Sequence, residues 1–127
     1  MTLDARTFGA VATCVRSVEE LEVLLRLADS RERYSSAAAI AAESGLPPAA
    51  AAAALEALAS RNLLDVRITD AVLYKLDPAS AEVRACLERT LAAAARNRDD
   101  VSRAIVRSSA GQDFADALHT GKRPIDG

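Results

Sequence analysis

The chain has 127 residues, of which 50% are apolar and 27% are charged, a composition typical of one globular domain rather than of a disordered segment. Its 16 basic and 18 acidic residues leave a net charge of −2, so the overall basic excess common in proteins that depend on phosphate contacts is missing. No apolar run approaches membrane-spanning length, and no secretory signal is recognisable at the beginning. We therefore expect a soluble, cytoplasmic protein.

The residues needed for catalysis or metal binding are scarce in this sequence. His119 is the one histidine, and Cys14 and Cys86 are too far apart to form a zinc-binding spacing. Neither a glycine-rich phosphate loop nor a nucleophile elbow is present. The cysteines are expected to be buried thiols, with a disulfide between them as the alternative. The sequence thus predicts a protein that is not an enzyme and has no metal or cofactor.

Two helices are predicted before residue 30. Apolar side chains recur at helical spacing over residues 4–15. Ser17 and Glu20 then form a capping box, in which Ser17 accepts from the amide of Glu20 and the Glu20 carboxylate reaches back to the amide of Ser17. The helix that follows has a broad apolar face, which is typical of a central helix in a protein core.

The most informative segment begins at Tyr34. Ser35 or Ser36 is expected to cap a short alanine-rich helix that ends at Gly45, because glycine readily adopts the left-handed conformation of a helix stop. Pro48 suits the first turn of a second alanine-rich helix, where no backbone donor is needed. These features predict two helices joined by a tight turn.

A β-hairpin is predicted directly after the second helix. Asn62 is expected to end that helix because asparagine tolerates left-handed geometry. Apolar and polar residues then alternate over 64–68, residues 69–71 form a turn, and the chain returns over 72–76. The order helix, turn, helix and hairpin predicts a mainly α protein with a small β-hairpin wing, a winged helix-turn-helix extended by N- and C-terminal helices.

The C-terminal part reads as one long helix. Asp77 is expected to cap it, Pro78 to begin it, and a break is possible between residues 97 and 100. A further turn over residues 112–118 would dock through Phe114 and Leu118. The expected organisation is an N-terminal helical extension over 1–16, a winged-helix core over 17–77, a long C-terminal helix and short docking turn over 78–119, and a flexible tail over 120–127.

The sequence between residues 17 and 77 resembles winged-helix regulators of the MarR-like type. The resemblance is carried by Leu46-Pro47-Pro48, Leu55-Glu56-Ala57-Leu58, Asn62-Leu63-Leu64 and Tyr74-Lys75-Leu76. It implies a dimeric DNA-binding transcription regulator whose recognition helix spans residues 47–61. Alanines stand, however, where such regulators present polar or basic side chains.

Seven residues are candidates for contacts with DNA phosphates. They flank the helix-turn-helix, begin its first helix or lie on the wing, where cations and helix N-termini attract phosphate. The alternative is that the basic members are ordinary solvated side chains in an arginine-rich sequence. The candidates are Arg31, Arg33, Ser35, Ser36, Arg61, Arg67 and Lys75.

The recognition-helix face is predicted to expose Ala49, Ala50 and Ala53. Between Ser35 and Ser60 the sequence has no Lys or Arg. Alanine can contact only a thymine methyl group in the major groove, so base readout would be weak. The face is either a small-residue surface for a partner helix or a set of helix formers that have no binding role.

The C-terminal helix has two interpretations. Its distal half could meet a second subunit, since two-fold dimers are the commonest soluble assembly. It could instead close the core of the monomer. The candidate interface residues are Leu91, Ala94, Val101 and Ile105.

Two functions therefore remain open. The first is a dimeric DNA-binding transcription regulator, possible partners being double-stranded DNA and a second copy of the chain. The alternative is a winged helix used for protein–protein interaction or dimerisation without specific DNA binding, in which the partner is another protein.

Overall fold

A computed structural model describes residues 3–108 of the chain. The predicted turn at 112–118 with Phe114 and Leu118, the tail at 120–127 and His119 lie outside these residues. The elements, in chain order, are α1 (Ala5–Cys14), α2 (Val18–Asp29), β1 (Ser35–Ser36), α3 (Ala37–Ser44), α4 (Pro48–Ser60), β2 (Leu64–Ile68), β3 (Val72–Leu76), α5 (Ala81–Arg96) and α6, a helix described over residues 98–108.

The beginning of α2 confirms half of the predicted capping box. Ser17 accepts a hydrogen bond from the Glu20 amide at 3.0 Å. The Glu20 carboxylate, however, accepts from the amide of Arg16 at 2.8 Å rather than from that of Ser17. The reciprocal bond was predicted at the wrong residue because the side chain is also drawn toward Arg61, a partner distant in sequence.

The helix-turn-helix forms as predicted. Ser36 caps α3 by accepting from the Ala39 amide at 3.1 Å. Gly45 ends α3 with a φ of +76°, and Asn62 follows α4 with a φ of +65°. Among residues 3–108 no single helix is long and apolar enough to cross a membrane, although α3 and α4, bent by 115°, satisfy the length and composition requirement as a pair.

The wing is part of a three-stranded antiparallel sheet, with strand order β1-β3-β2. The predicted hairpin is confirmed, and Ile68 lies opposite Val72 at its distal end. The strand β1 was not predicted; in it Ser35 lies opposite Tyr74. Two residues are too few to show the alternation of a strand, so the pairing depends on β3 being close by.

The core lies between the helices and one face of the sheet. The sheet contributes Leu64, Tyr74 and Leu76, which are buried, so the alternate side chains of β2 and β3 face outward. α1 packs against α5, and α2 packs against both helices of the helix-turn-helix. The largest fully buried side chains are Leu21, Leu24, Leu27, Ile40, Leu55, Leu58, Leu63, Leu87 and Ile105.

The C-terminal helix begins later than predicted. Its N-cap is Ser80, which accepts from the Val83 amide at 3.1 Å, so Asp77 and Pro78 do not begin the helix. The Asp77 amide instead donates to the Leu63 carbonyl at 2.9 Å. This bond holds the backbone that follows β3 next to the residue that precedes β2, so α5 begins only after this contact.

A break divides the C-terminal segment into α5 and α6. Asn97 is extended, with φ −160° and ψ 96°, and its side-chain oxygen accepts from the Asp100 amide at 3.2 Å. Asn97 therefore stops one helix and caps the next. The predicted break is present, and it lets both helices face the core.

The two described glycines allow a test of the turn geometry. Replacing Gly45 with Ala should cost about 1 kcal/mol of unfolding free energy, because its positive φ strains any side chain although the space around it is open. Gly9 lies inside α1 and a Cβ there would also meet open space, so Gly9→Ala should stabilise by about 0.5–1 kcal/mol. Urea denaturation of both variants measures the difference, and equal effects would contradict the left-handed turn.

Candidate nucleic-acid interface

Four side chains form a cluster on the outer face of the sheet, which we name the wing cluster: Tyr34, Asp65, Arg67 and Lys75. The guanidinium carbon of Arg67 lies 4.4 Å from the centre of the Tyr34 ring, and the ammonium of Lys75 lies 5.4 Å from it. The Tyr34 hydroxyl donates to the Asp65 carboxylate. One aromatic ring thus holds two cations of the wing close together.

The strand register explains why these residues meet. Asp65 on β2 lies opposite Lys75 on β3, and Arg67 lies two residues further along on the same face. Tyr34 immediately precedes β1, which pairs with the other side of β3. The hydrogen bond to Asp65 is the main reason that the pKa of Tyr34 is raised, because it stabilises the protonated phenol.

Arg33 and the N-terminus of α3 lie next to this cluster in the chain. Arg33 is exposed, whereas Ser35 is a half-buried residue of β1. The hydroxyl of Ser36 is used as the α3 cap. Backbone amides and cations in one place are suited to a phosphate oxygen.

Arg31 lies on the edge of the same region but has a partner. Its guanidinium is 2.6 Å from the carboxylate of Glu88 on α5. The pair borders a surface hollow of about 360 Å³, whose lining also contains Lys75 and Arg84 opposed by Glu32 and Asp77. With both signs of charge present, the hollow itself does not favour an anion.

Arg61 is not positioned for a phosphate contact. One terminal nitrogen is 2.5 Å from the Glu20 carboxylate and 3.0 Å from the carbonyl oxygen of Cys14. The other terminal nitrogen is 3.3 Å from the same carboxylate. Its side chain is 18% exposed and that of Glu20 is 12% exposed. The prediction of a DNA contact is corrected here: Arg61 joins α4 to the ends of α1 and α2.

The exposed side of α4 carries no hydrogen-bond donor suited to base edges near its N-terminus. Ala49 and Ala53 are exposed, whereas Ala50, which was also expected on the exposed face, is half buried. Glu56 lies on the same exposed side, one turn after Ala53. On its flank, Ala50 and Ala53 border a hollow of about 250 Å³ together with Glu19 of α2. The surface is apolar and acidic, which disfavours entry into a DNA groove.

The candidate dimer residues lie mostly in the interior of the monomer. Ala94, Val101 and Ile105 are buried, and Leu91 is half buried against the same core. A subunit contact through the half-buried Leu91 stays a prediction. Ala94, Val101 and Ile105 belong to the core of the monomer, because the break at Asn97 turns α6 back onto it. These three residues fit the other interpretation of the C-terminal helix, in which it closes the core of the monomer.

Both cysteines are free thiols. Cys14 is buried at the end of α1, and burial raises the pKa of its thiol. Cys86 on α5 is partly buried. Within residues 3–108, no group of three or more His, Cys, Asp or Glu side chains is arranged to hold a metal ion.

Two members of the wing cluster were missed by sequence analysis, Tyr34 and Asp65. The alternation of β2 places Asp65 on the same face as Arg67, so the hairpin pattern contained part of the signal. Tyr34 could not be assigned because its position depends on β1 pairing with β3.

Comparison with known proteins identifies the fold. No protein-family profile matches the chain, and no curated protein does. The chain is similar to the solution NMR structure of a homodimeric winged helix-turn-helix DNA-binding domain from Mycobacterium bovis, a possible ArsR-family transcriptional regulator. The TM-score is 0.52 at 22% identity, covering 72% of this chain and 82% of that one. ZitR from Lactococcus lactis matches with a TM-score of 0.41 at 20% identity, covering 83% of this chain and 72% of ZitR.

The Arg61 ion pair can be tested against an exposed pair in the same protein. Arg61→Met should cost about 3 kcal/mol of unfolding free energy, because it leaves the Glu20 carboxylate partly buried without its cation. Arg31→Met removes the exposed pair with Glu88 and should cost less than about 1 kcal/mol. Chemical denaturation measures both. A smaller loss for Arg61→Met than for Arg31→Met would refute the structural role of Arg61.

The fold is therefore a winged helix-turn-helix, mainly helical and extended by helices at both ends, as the order of its elements predicted.

Proposed function

We propose that the protein is a non-catalytic, homodimeric transcription regulator of the cytoplasm. It binds double-stranded DNA by contacting the phosphate backbone of the duplex. The observation that carries the proposal is the convergence of Arg67 and Lys75 on the Tyr34 ring, next to Arg33 and the N-terminus of α3. The MarR-like subtype stays a prediction.

The stacked arrangement favours phosphate binding for an entropic reason. Long cationic side chains lose rotamer freedom when they bind, and the Tyr34 ring already restricts both Arg67 and Lys75. Asp65 partly offsets their charge, and Arg33 adds a further exposed cation. The cluster is therefore a preorganised but small electropositive site, which fits modest affinity for the DNA backbone.

Base recognition contributes little in this proposal. Ala49 and Ala53 of α4 offer no donor or acceptor to base edges, and Glu56 repels nearby phosphates. Phosphate contacts position a protein on DNA without reading its sequence. We infer that DNA binding has low sequence preference, unlike that of a regulator with a polar recognition helix.

A salt titration of binding to a random duplex tests the proposal. The logarithm of the association constant should fall with the logarithm of salt concentration, with a slope of about −0.9 for each phosphate neutralised. The double variant Arg33→Gln with Arg67→Gln should reduce the magnitude of this slope by about 2. Fluorescence anisotropy with a labelled duplex measures both values.

The control is Arg6→Gln, which removes one positive charge from α1, a helix that packs on α5. It should leave the slope within error of that of the unchanged protein. If no binding is detected at low salt, or if Arg6→Gln weakens binding as much as the double variant, DNA binding through the wing cluster is ruled out.

The homodimer is supported by the similar domain from Mycobacterium bovis, which is described as homodimeric. Light scattering of the full chain should give twice the monomer mass of 13.4 kDa at micromolar concentration. A truncation before α6 is unsuitable as a test, since Val101 and Ile105 belong to the core. A mass of one chain at all concentrations tested would exclude the dimer.

A further inference from the structure

One face of the wing, which we call the inner face, packs on the core near the start of β2. Toward the tip of the hairpin, the same face exposes apolar side chains to solvent. We name Val66, Ile68 and Val72 the inner wing strip. Their exposed fractions are 41%, 77% and 42%. Ile68 lies opposite Val72, and Val66 lies opposite the buried Tyr74, so the strip continues the core face out into solvent.

Contiguous apolar side chains of this kind usually mark a contact site. Exposed strand residues are normally polar on the solvent side, and a bare apolar hairpin end costs solubility unless something covers it. Arg67 lies between Val66 and Ile68 on β2, so its side chain points to the outer face of the sheet, where it lies over Tyr34. The cations of the wing are therefore separated from the strip by the thickness of the sheet.

The charges that border the strip are negative at both ends. Asp70 lies in the exposed turn that joins Ile68 to Val72. At the other end, Glu56 of α4 is near enough to Tyr74 to add to the rise in the pKa of that phenol, whose larger cause is burial. An apolar strip between two carboxylates complements an apolar ligand that carries flanking cations.

The helix beside the strip is α4, which packs against β2. Glu56 lies on the exposed side of α4. The strip and Glu56 therefore lie on the wing and on the helix that packs against it, where one ligand can contact both.

We propose that the inner wing strip and Glu56 bind an amphipathic helix of another protein, one with an apolar stripe flanked by Lys or Arg residues. The apolar stripe covers Ile68 and its neighbours, while the flanking cations pair with Glu56 and Asp70. Amphipathic helices are commonly recognised in this way, through apolar anchors on one face. The surface lies on the opposite side of the sheet from the wing cluster, so the inference goes beyond DNA binding and does not require it.

DNA is a poor ligand for the same surface. Its phosphates would meet Glu56 and Asp70, and a duplex offers no apolar stripe to cover the strip. A partner helix satisfies both features, because apolar burial and charge pairing occur side by side along its length.

The proposal is tested with a labelled 18-residue model peptide of Leu and Lys that forms an amphipathic helix, and with its matched Leu and Glu twin. Fluorescence anisotropy should show binding of the Leu/Lys peptide and at least about tenfold weaker binding of the Leu/Glu peptide. Ile68→Ser and Glu56→Lys should each weaken the Leu/Lys peptide about tenfold.

Glu32→Lys is the matched charge control, because Glu32 is exposed in the loop before β1, away from the inner face. It should change peptide affinity by less than about twofold. Circular dichroism establishes that each variant is folded, and Ile68→Ser and Glu56→Lys provide independent readouts from two different elements.

Three results would overturn the proposal. The first is equal affinity for both peptides, or Leu/Lys binding that Ile68→Ser and Glu56→Lys leave unchanged. The second is a dimer that Ile68→Ser converts to a monomer, which would make a second copy of the chain the occupant. The third is duplex binding that Ile68→Ser abolishes and Glu56→Lys strengthens, which would place DNA on this surface. If duplex binding is lost only in the variant that carries Arg33→Gln and Arg67→Gln, that result tests DNA binding by the wing cluster and leaves the peptide-binding proposal standing.

Discussion

The Arg61–Glu20 ion pair is the contact on which the arrangement of the helices depends. Arg61 follows α4, Glu20 lies in the first turn of α2, and the same guanidinium donates to the last carbonyl of α1, that of Cys14. Three helix ends therefore share one cation. Because the pair is largely shielded from water, removing one charge leaves the other poorly solvated and without its counter-charge. The ion pair thus joins the end of α4 to α1 and α2 just before the wing begins.

The wing that starts beyond this contact has two faces of opposite character. Side chains alternate along β2 and β3, so one face carries Arg67 and Lys75 while the other carries the apolar inner wing strip. Tyr34 is important because its ring holds the cations on the outer face. A winged helix with an apolar and acidic α4 can thus separate an electropositive surface from an apolar one, and the two proposed binding partners use different sides of the same sheet.

Much of the fold was predictable because its signals are local. Ser36, Gly45 and Asn62 each act within a few residues, by capping a helix or by accepting a left-handed backbone. Gly45 and Asn62 were identified correctly, and Ser36 was one of the two caps expected for α3. The start of α5 was predicted at Asp77 and Pro78 and was wrong, because a hydrogen bond from Asp77 to Leu63 holds the chain beside β2. Such a bond joins segments distant in sequence, and no local pattern reveals it.

The amino-acid sequence by itself determined the order helix, turn, helix and hairpin, and the absence of cations from the helix-turn-helix, since these follow from residue type and short-range periodicity. Only the tertiary structure decided which arginines face solvent. Arg61 and Arg67 look alike in the sequence, yet one is paired with Glu20 and the other lies over Tyr34. The reason is physical: the environment of a long charged side chain is set by the elements packed around it, whereas helix caps and turns are set by neighbours along the chain.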